Sequence, residues 1–115
     1  MERYFELPWD RELAARVVRD ADQLFTFEEL TGVSAFVDNR QSTRRVVLAF
    51  VFDTVDEGKV LSFDEFVVKA GGTRIETDHG KLLKETQQGA WNAMIGNCDE
   101  WTFPRLFVDG IPDKN

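Results

Sequence analysis

The sequence predicts an all-α protein built of about three helix–loop–helix units, and three observations carry that expectation. The stretch Val46–Phe66, VVLAFVFDTVDEGKVLSFDEF, runs from seven consecutive apolar residues into an acidic turn punctuated by Gly58. Its exit, Ser62 followed three residues later by Glu65, is a capping box, in which hydroxyl and carboxylate satisfy each other's backbone N–H groups at a helix start. The same grammar occurs earlier, where LFTFEEL (Leu24–Leu30) matches VLSFDEF (Val60–Phe66) at a spacing of 36 residues from Thr26 to Ser62. That marks an internal repeat.

Taken in order, residues 1–8 read as a tail. Pro8 and Asp10 suit a helix start, where a missing N–H costs little and a negative charge meets the positive end of the dipole. Trp9, Leu13, Val17, Ala21 and Leu24 recur at near-helical spacing, with Arg11, Glu12, Arg16 and Arg19 pointing elsewhere, which predicts an amphipathic helix over residues 9–20. Thr26 with Glu29 forms the other capping box, and helical signal continues through Phe36. Asp38 to Gln41 reads as a connection, with Ser42 or Thr43 capping the next helix. Val46–Phe52 taken alone suits a buried strand equally well, being rich in β-branched and aromatic residues. Its place between a cap and an acidic loop favours a helix, which must then be covered on every face.

Beyond Phe66 the helix extends to Lys69 or Ala70, Gly71-Gly72 ends it, and Thr73 to Gly80 is a polar linker. Leu83, Gln87, Ala90, Trp91, Met94 and Ile95 fall on one face of a further helix. Trp101-Thr102-Phe103 repeats the apolar, hydroxyl, Phe pattern 40 residues after the second copy, with Pro104 and Arg105 where acids stood before. The expected organisation is a lobe at 9–70, a linker at 71–80 and a third, degenerate unit at 81–108.

Composition bounds the function. A chain of 115 residues fits one domain, and 43% apolar residues with 10 Phe, 3 Trp and 1 Tyr can bury a core. The net charge of −7 disfavours nucleic acid, whose binding is mostly phosphate electrostatics, and leaves protein partners or cations. A faint helix-turn-helix look in TFEELTGVS and STRRVV, with Arg40, Arg44 and Arg45, fails on the long separation of its two parts. Cys98 is the single cysteine, which excludes an internal disulfide and suits a reducing compartment. No apolar run approaches the ~20 residues of a membrane span, and MERYFELPWD lacks a signal-peptide core. The expectation is a cytoplasmic protein. His79 is the single histidine, Cys98 sits beside Asp99 and Glu100, whose charge opposes a thiolate, and no glycine-rich phosphate loop is present. These features point away from an enzyme.

The aromatic-Asp entry Phe52-Asp53, the mid-loop Gly58, the aliphatic residue before Ser62 and the terminal Glu65-Phe66 resemble the EF-hand superfamily of calmodulin, calcineurin B and the myosin light chains. The resemblance covers about residues 10–108 with degenerate loops. EF-hand loops hold calcium with oxygens at positions 1, 3, 5, 7, 9 and 12 and a glycine at 6. Counted from Asp53, the loop places Glu57, Gly58 and Asp64 at positions 5, 6 and 12; counted back from Glu65, Asp56 falls third. The resemblance therefore makes Asp53, Asp56, Glu57, Asp64 and Glu65 candidate ligands, with at most three in any register. It implies weak Ca²⁺ binding at most and no required cofactor. It also implies a non-catalytic, light-chain-like regulatory module that grips an amphipathic partner helix without calcium. The groove would be lined by Phe27, Leu30, Phe36, Val47, Phe50, Val51, Phe63, Phe66 and Val67. The alternative is a small acidic inhibitor protein of unrelated fold that blocks a basic partner surface.

Overall fold

The N-terminal residues ERYFEL alternate in environment rather than trailing as a tail: Phe5 and Leu7 are buried on one side, Tyr4 on the other. In the computed structural model, which describes residues 1–38 and 45–90, they form strand β1 (Glu2–Leu7). Helix α1 (Arg11–Leu24), strands β2 (Leu30–Asp38) and β3 (Arg45–Phe52), helix α2 (Glu57–Ala70), strand β4 (Thr73–Ile75), helix α3 (His79–Glu85) and strand β5 (Gln87–Ala90) come after it. All strands join one antiparallel sheet in the order β4-β1-β3-β2-β5. The first six elements run β-α-β-β-α-β with β3 inserted between β1 and β2, a ferredoxin-like topology, which α3 and β5 extend. The protein is α+β. The all-α expectation, the three EF-hand-like units and the EF-hand resemblance are overturned by this sheet.

Each error has a physical cause. Val46–Phe52 is the body of β3, the centre of the sheet, and it is covered on both faces: Val46, Leu48, Phe50 and Phe52 look one way, Val47 and Ala49 the other. Burial on both sides erases the polar–apolar alternation that identifies a strand, so its run carries no period at all. The capping box of Thr26 and Glu29 does form. Glu29 N–H donates to Thr26 Oγ1 at 3.3 Å and Thr26 N–H to Glu29 Oε1 at 2.8 Å. It closes a single turn that delivers the chain into β2, because Val33, Phe36 and Val37 gain more by pairing with β3 than by continuing a helix. The other box is inside a helix already begun. Asp56 caps α2 by accepting from Lys59 N–H at 3.2 Å, which leaves Ser62 exposed in mid-helix.

Several local readings coincide with the structure. Asp10 caps α1, accepting from Leu13 N–H at 3.1 Å. Gly71 ends α2 in the left-handed region at φ 116°, where glycine has no Cβ penalty. At Gly72 a Cβ would lie 2.7 Å from Val67 Cγ1 and 2.8 Å from Leu7 Cδ2, so only glycine lets α2 return so closely to β1. The polar stretch 71–80 supplies β4 and the start of α3. The face expected to be helical from Leu83 onward breaks at Thr86, and Gln87–Ala90 pairs with β2. Ser42, Thr43, Trp91, Met94, Ile95 and the third repeat at 101–107 lie outside the described residues.

Helices α1 and α2 cover one face of the sheet. Ala14, Val17 and Val18 from α1 and Val60, Phe63 and Val67 from α2 pack onto Phe5, Leu48 and Phe50. On the opposite face Tyr4, Phe36, Val47 and Ala49 gather with Leu82 of α3 and Ile75 of β4. Among the described residues no helix is long and apolar enough to cross a membrane.

Candidate functional site

Strand β2 begins where β3 ends, so the α1–β2 loop and the β3–α2 loop meet at one end of the sheet. Asp53 N–H donates to the Glu29 carbonyl at 3.0 Å, which stitches the loops together. Phe52 N–H donates to Met1 O at 2.7 Å and the Met1 amine returns a bond to Phe52 O at 3.0 Å, which brings the N-terminus alongside. Lys59 from the first turn of α2 reaches back to Glu29 Oε1 at 2.8 Å, with its ammonium 5.2 Å from the centre of the Phe25 ring. The two loops are thus held on a rigid floor.

On that floor stands exposed apolar surface with negative charge around it. The Thr26–Glu29 turn places Phe27 and Glu28 at its two central positions, both exposed, Phe27 to 66%. Leu24, at the end of α1, and Met1 are exposed as well. Glu28, Asp53, Asp56 and Glu57 are all exposed, and none of the four forms an ion pair among the described residues. Lys59, a cation of this end, is committed to Glu29, and the Met1 amine to Phe52 O.

The Lys59 hydrogen bond, and after it the Thr26 backbone N–H, holds the Glu29 carboxyl below the usual glutamate range. A folded-state value below the unfolded one means that this carboxylate stabilises the loop fully above the ordinary glutamate range. The contribution is lost as pH falls through the depressed folded value. Glu29→Gln is therefore expected to flatten the acid limb of the stability–pH curve, with the difference from wild type vanishing only below the depressed folded value. Chemical denaturation of both proteins across pH 3–7 checks this, and parallel curves would refute it.

The five carboxylates named as candidate ligands of a weak site, three at most in one register, are divided between two places. Asp53, Asp56 and Glu57 lie on the loop end just described, with Asp56 engaged as the α2 cap. Asp64 is buried farther along α2, where its Oδ2 meets Arg3 Nε at 3.2 Å and Arg74 at 3.5 Å. Glu65 is exposed on the helix surface. Among the described residues no three His, Cys, Asp or Glu side chains gather as a metal site.

The nine residues expected to line a groove are divided as well. Leu30, Phe50, Phe63 and Val67 are buried beneath α1 and α2, with Phe66 packed partly against them. Phe36 and Val47 are buried on the opposite face, and Val51 is half-buried. Phe27 alone is exposed. No local signal separates it from Phe63, which two acids also follow and which is buried.

A second constellation went unread in the sequence. Tyr4 Oη donates to Glu2 Oε1 and lies 3.4 Å from His79 Nδ1, and the His79 ring stands edge-on to Phe36 at 5.0 Å. Burial, and then the Glu2 carboxylate, push the phenol well above its ordinary pKa. Tyr4 is therefore held as the neutral phenol, donating within β1 to Glu2 while its ring and oxygen rest beside His79 of α3. No family model, curated protein or solved structure matches the chain, so its function is read from its own residues.

Proposed function

We propose that this chain is a non-catalytic protein-binding module that presents the Phe27 end to a basic, partly apolar surface on a partner protein. The observation that supports it is Phe27 itself, 66% exposed at the tip of a turn that is otherwise tightly bonded. Aromatic side chains are the usual anchors of interfaces, and a few of them carry most of the binding energy. The exposed carboxylates of Glu28, Asp53, Asp56 and Glu57 select the sign of the partner and speed its approach. Because the exposed groups sit on loop tips, the chain docks onto a partner surface, in the manner of a small acidic inhibitor.

The test is affinity capture from extract of the native cell with the wild-type chain, with Phe27→Ala, and with the triple variant Glu28→Gln, Asp53→Asn, Glu57→Gln. Phe27→Ala should leave stability within about 0.5 kcal/mol, as exposed substitutions do. It should weaken binding of the captured partner at least ~10-fold, the range of an anchor residue. The triple variant should bind more slowly and lose the salt dependence, since screening acts beyond ~8 Å at physiological ionic strength. A partner retained equally by all three proteins in low and high salt would remove this end from the binding surface.

A further inference from the structure

Strand β4 ends the sheet. Among the described residues its neighbour is β1 alone, so its outer side carries open backbone groups. The far side of β1 identifies those groups. Met1 and Phe52 exchange both backbone bonds, and antiparallel ladders alternate. Arg3 and Phe5 therefore bond toward β3, and Tyr4 and Glu6 toward β4. Tyr4 stands opposite Ile75 and Glu6 opposite Thr73, so Ile75 and Thr73 direct their N–H and C=O groups inward. Those of Arg74 point out, and the same alternation carried one residue past the strand would turn those of Glu76 out as well.

The side chains divide in step with the backbone. Ile75 joins the Tyr4 and Leu82 cluster on one face. Arg74 lies on the other face, 3.5 Å from Asp64 and 3.9 Å from Glu76, whose side chain is 93% exposed.

We propose that this edge joins two copies of the chain, with β4 paired antiparallel to its counterpart about a two-fold axis through Ile75. Antiparallel partners must agree in both face and bond direction, which limits the registers. One sets Arg74 against Arg74 and another sets Glu76 against Glu76, and both oppose like charges. Sliding one way brings Arg74 to Gly72, whose N–H is already bonded to Val67 O at 2.9 Å. Sliding the other way sets Glu76 against Asp78. The axis through Ile75 instead places Arg74 of each copy opposite Glu76 of the other, twice over. It converts their outward N–H and C=O groups into ladder bonds and sets Ile75 against Ile75.

The contact is isologous and closes on itself, so it ends at a dimer, in which the two five-stranded sheets become one. It also covers apolar surface. A concavity of about 330 Å³ beside this edge is lined by Asp64, Glu65, Val68, Lys69 and Arg74. Val68 and Leu61, 53% and 48% exposed, lie on the same stripe of α2. The proposal is independent of the Phe27 end.

Sedimentation of the full chain, from micromolar to ~1 mM, tests it. The wild type is expected to dimerise reversibly. Glu76→Arg, which sets Arg against Arg twice, should weaken the dimer at least ~10-fold. Glu76→Pro should do the same by removing an N–H that bonds to no other described residue. Mixing Glu76→Arg with Arg74→Glu should restore a dimer containing one of each, since every facing pair is again opposite in charge. Arg74→Glu also gives up its ion pair with Asp64; if it does not fold, the two Glu76 variants carry the test. A wild type monomeric throughout, a dimer that survives both Glu76 variants, or an edge that takes up a foreign strand while the chain alone stays monomeric would each overturn the proposal.

Discussion

Phe63→Ala is expected to destabilise the protein by about 3–5 kcal/mol, the range for emptying a buried phenylalanine site. Phe63 is 1% exposed and lies at the centre of the aromatic core. Its ring stands edge-on to Phe50 at 5.1 Å, Phe25 at 5.5 Å and Phe5 at 5.8 Å. It therefore joins α2 to β1, to β3 and to the end of α1 at once. Alanine removes the transfer free energy of the ring and leaves a cavity whose walls belong to four elements, and these cannot all collapse inward together. Domains of this kind hold only roughly 5–15 kcal/mol in total, so the variant should sit near the edge of folding. Urea denaturation of wild type, Phe63→Leu and Phe63→Ala measures the effect, with the leucine variant expected to fall between the other two. A loss below about 1 kcal/mol for alanine would mean that α2 is not seated on this face.

Asp64→Ala is expected to cost a similar amount, about 3–5 kcal/mol, by a different mechanism. The side chains of Arg3 and Asp64 are 11% and 12% exposed and meet at 3.2 Å, linking the first strand to α2. Arg74 reaches the same oxygen from a more exposed position, and Asp64 Oδ1 is buried with no hydrogen-bond partner among the described residues. Removing the carboxylate leaves the Arg3 guanidinium largely desolvated with no counter-charge, and that penalty exceeds the net worth of the pair. The double variant Arg3→Met, Asp64→Leu removes both charges and keeps the volume, so it should recover most of the loss. A double-mutant cycle by thermal and urea unfolding separates the two contributions. Additive losses in the double variant would show that Arg3 does not depend on Asp64 and sink the buried-pair account.

How much of the fold is legible in the sequence depends on how local each cause is. Asp10 and the spacing of Leu13, Val17 and Ala21 announce α1, because a cap and a 3.6-residue period are written within one turn of each other. Gly71 as the stop of α2 is legible for the same reason. The Thr26–Glu29 box is correct as bonding and wrong as a helix start: a reciprocal cap satisfies one turn, and partners elsewhere in the chain choose the element after it. Of the candidate site, the acidic residues 53–57 stand out in the sequence but are joined there to the wrong neighbours. Asp64 and Glu65 are close to them in sequence, whereas Glu28 and Phe27 are close in space.

The sequence by itself determined the first helix, the glycine stop, the capacity for an aromatic core and a net negative charge. Only the tertiary structure decided that Val46–Phe52 is a strand, since burial on both faces removes the alternation by which strands are recognised. It also decided that Asp64 neutralises Arg3 61 residues away, and that Phe27 stands in solvent while eight supposed groove partners are drawn into the fold. Pairing between distant strands is a sum over long-range contacts, and no window of neighbouring residues contains that sum.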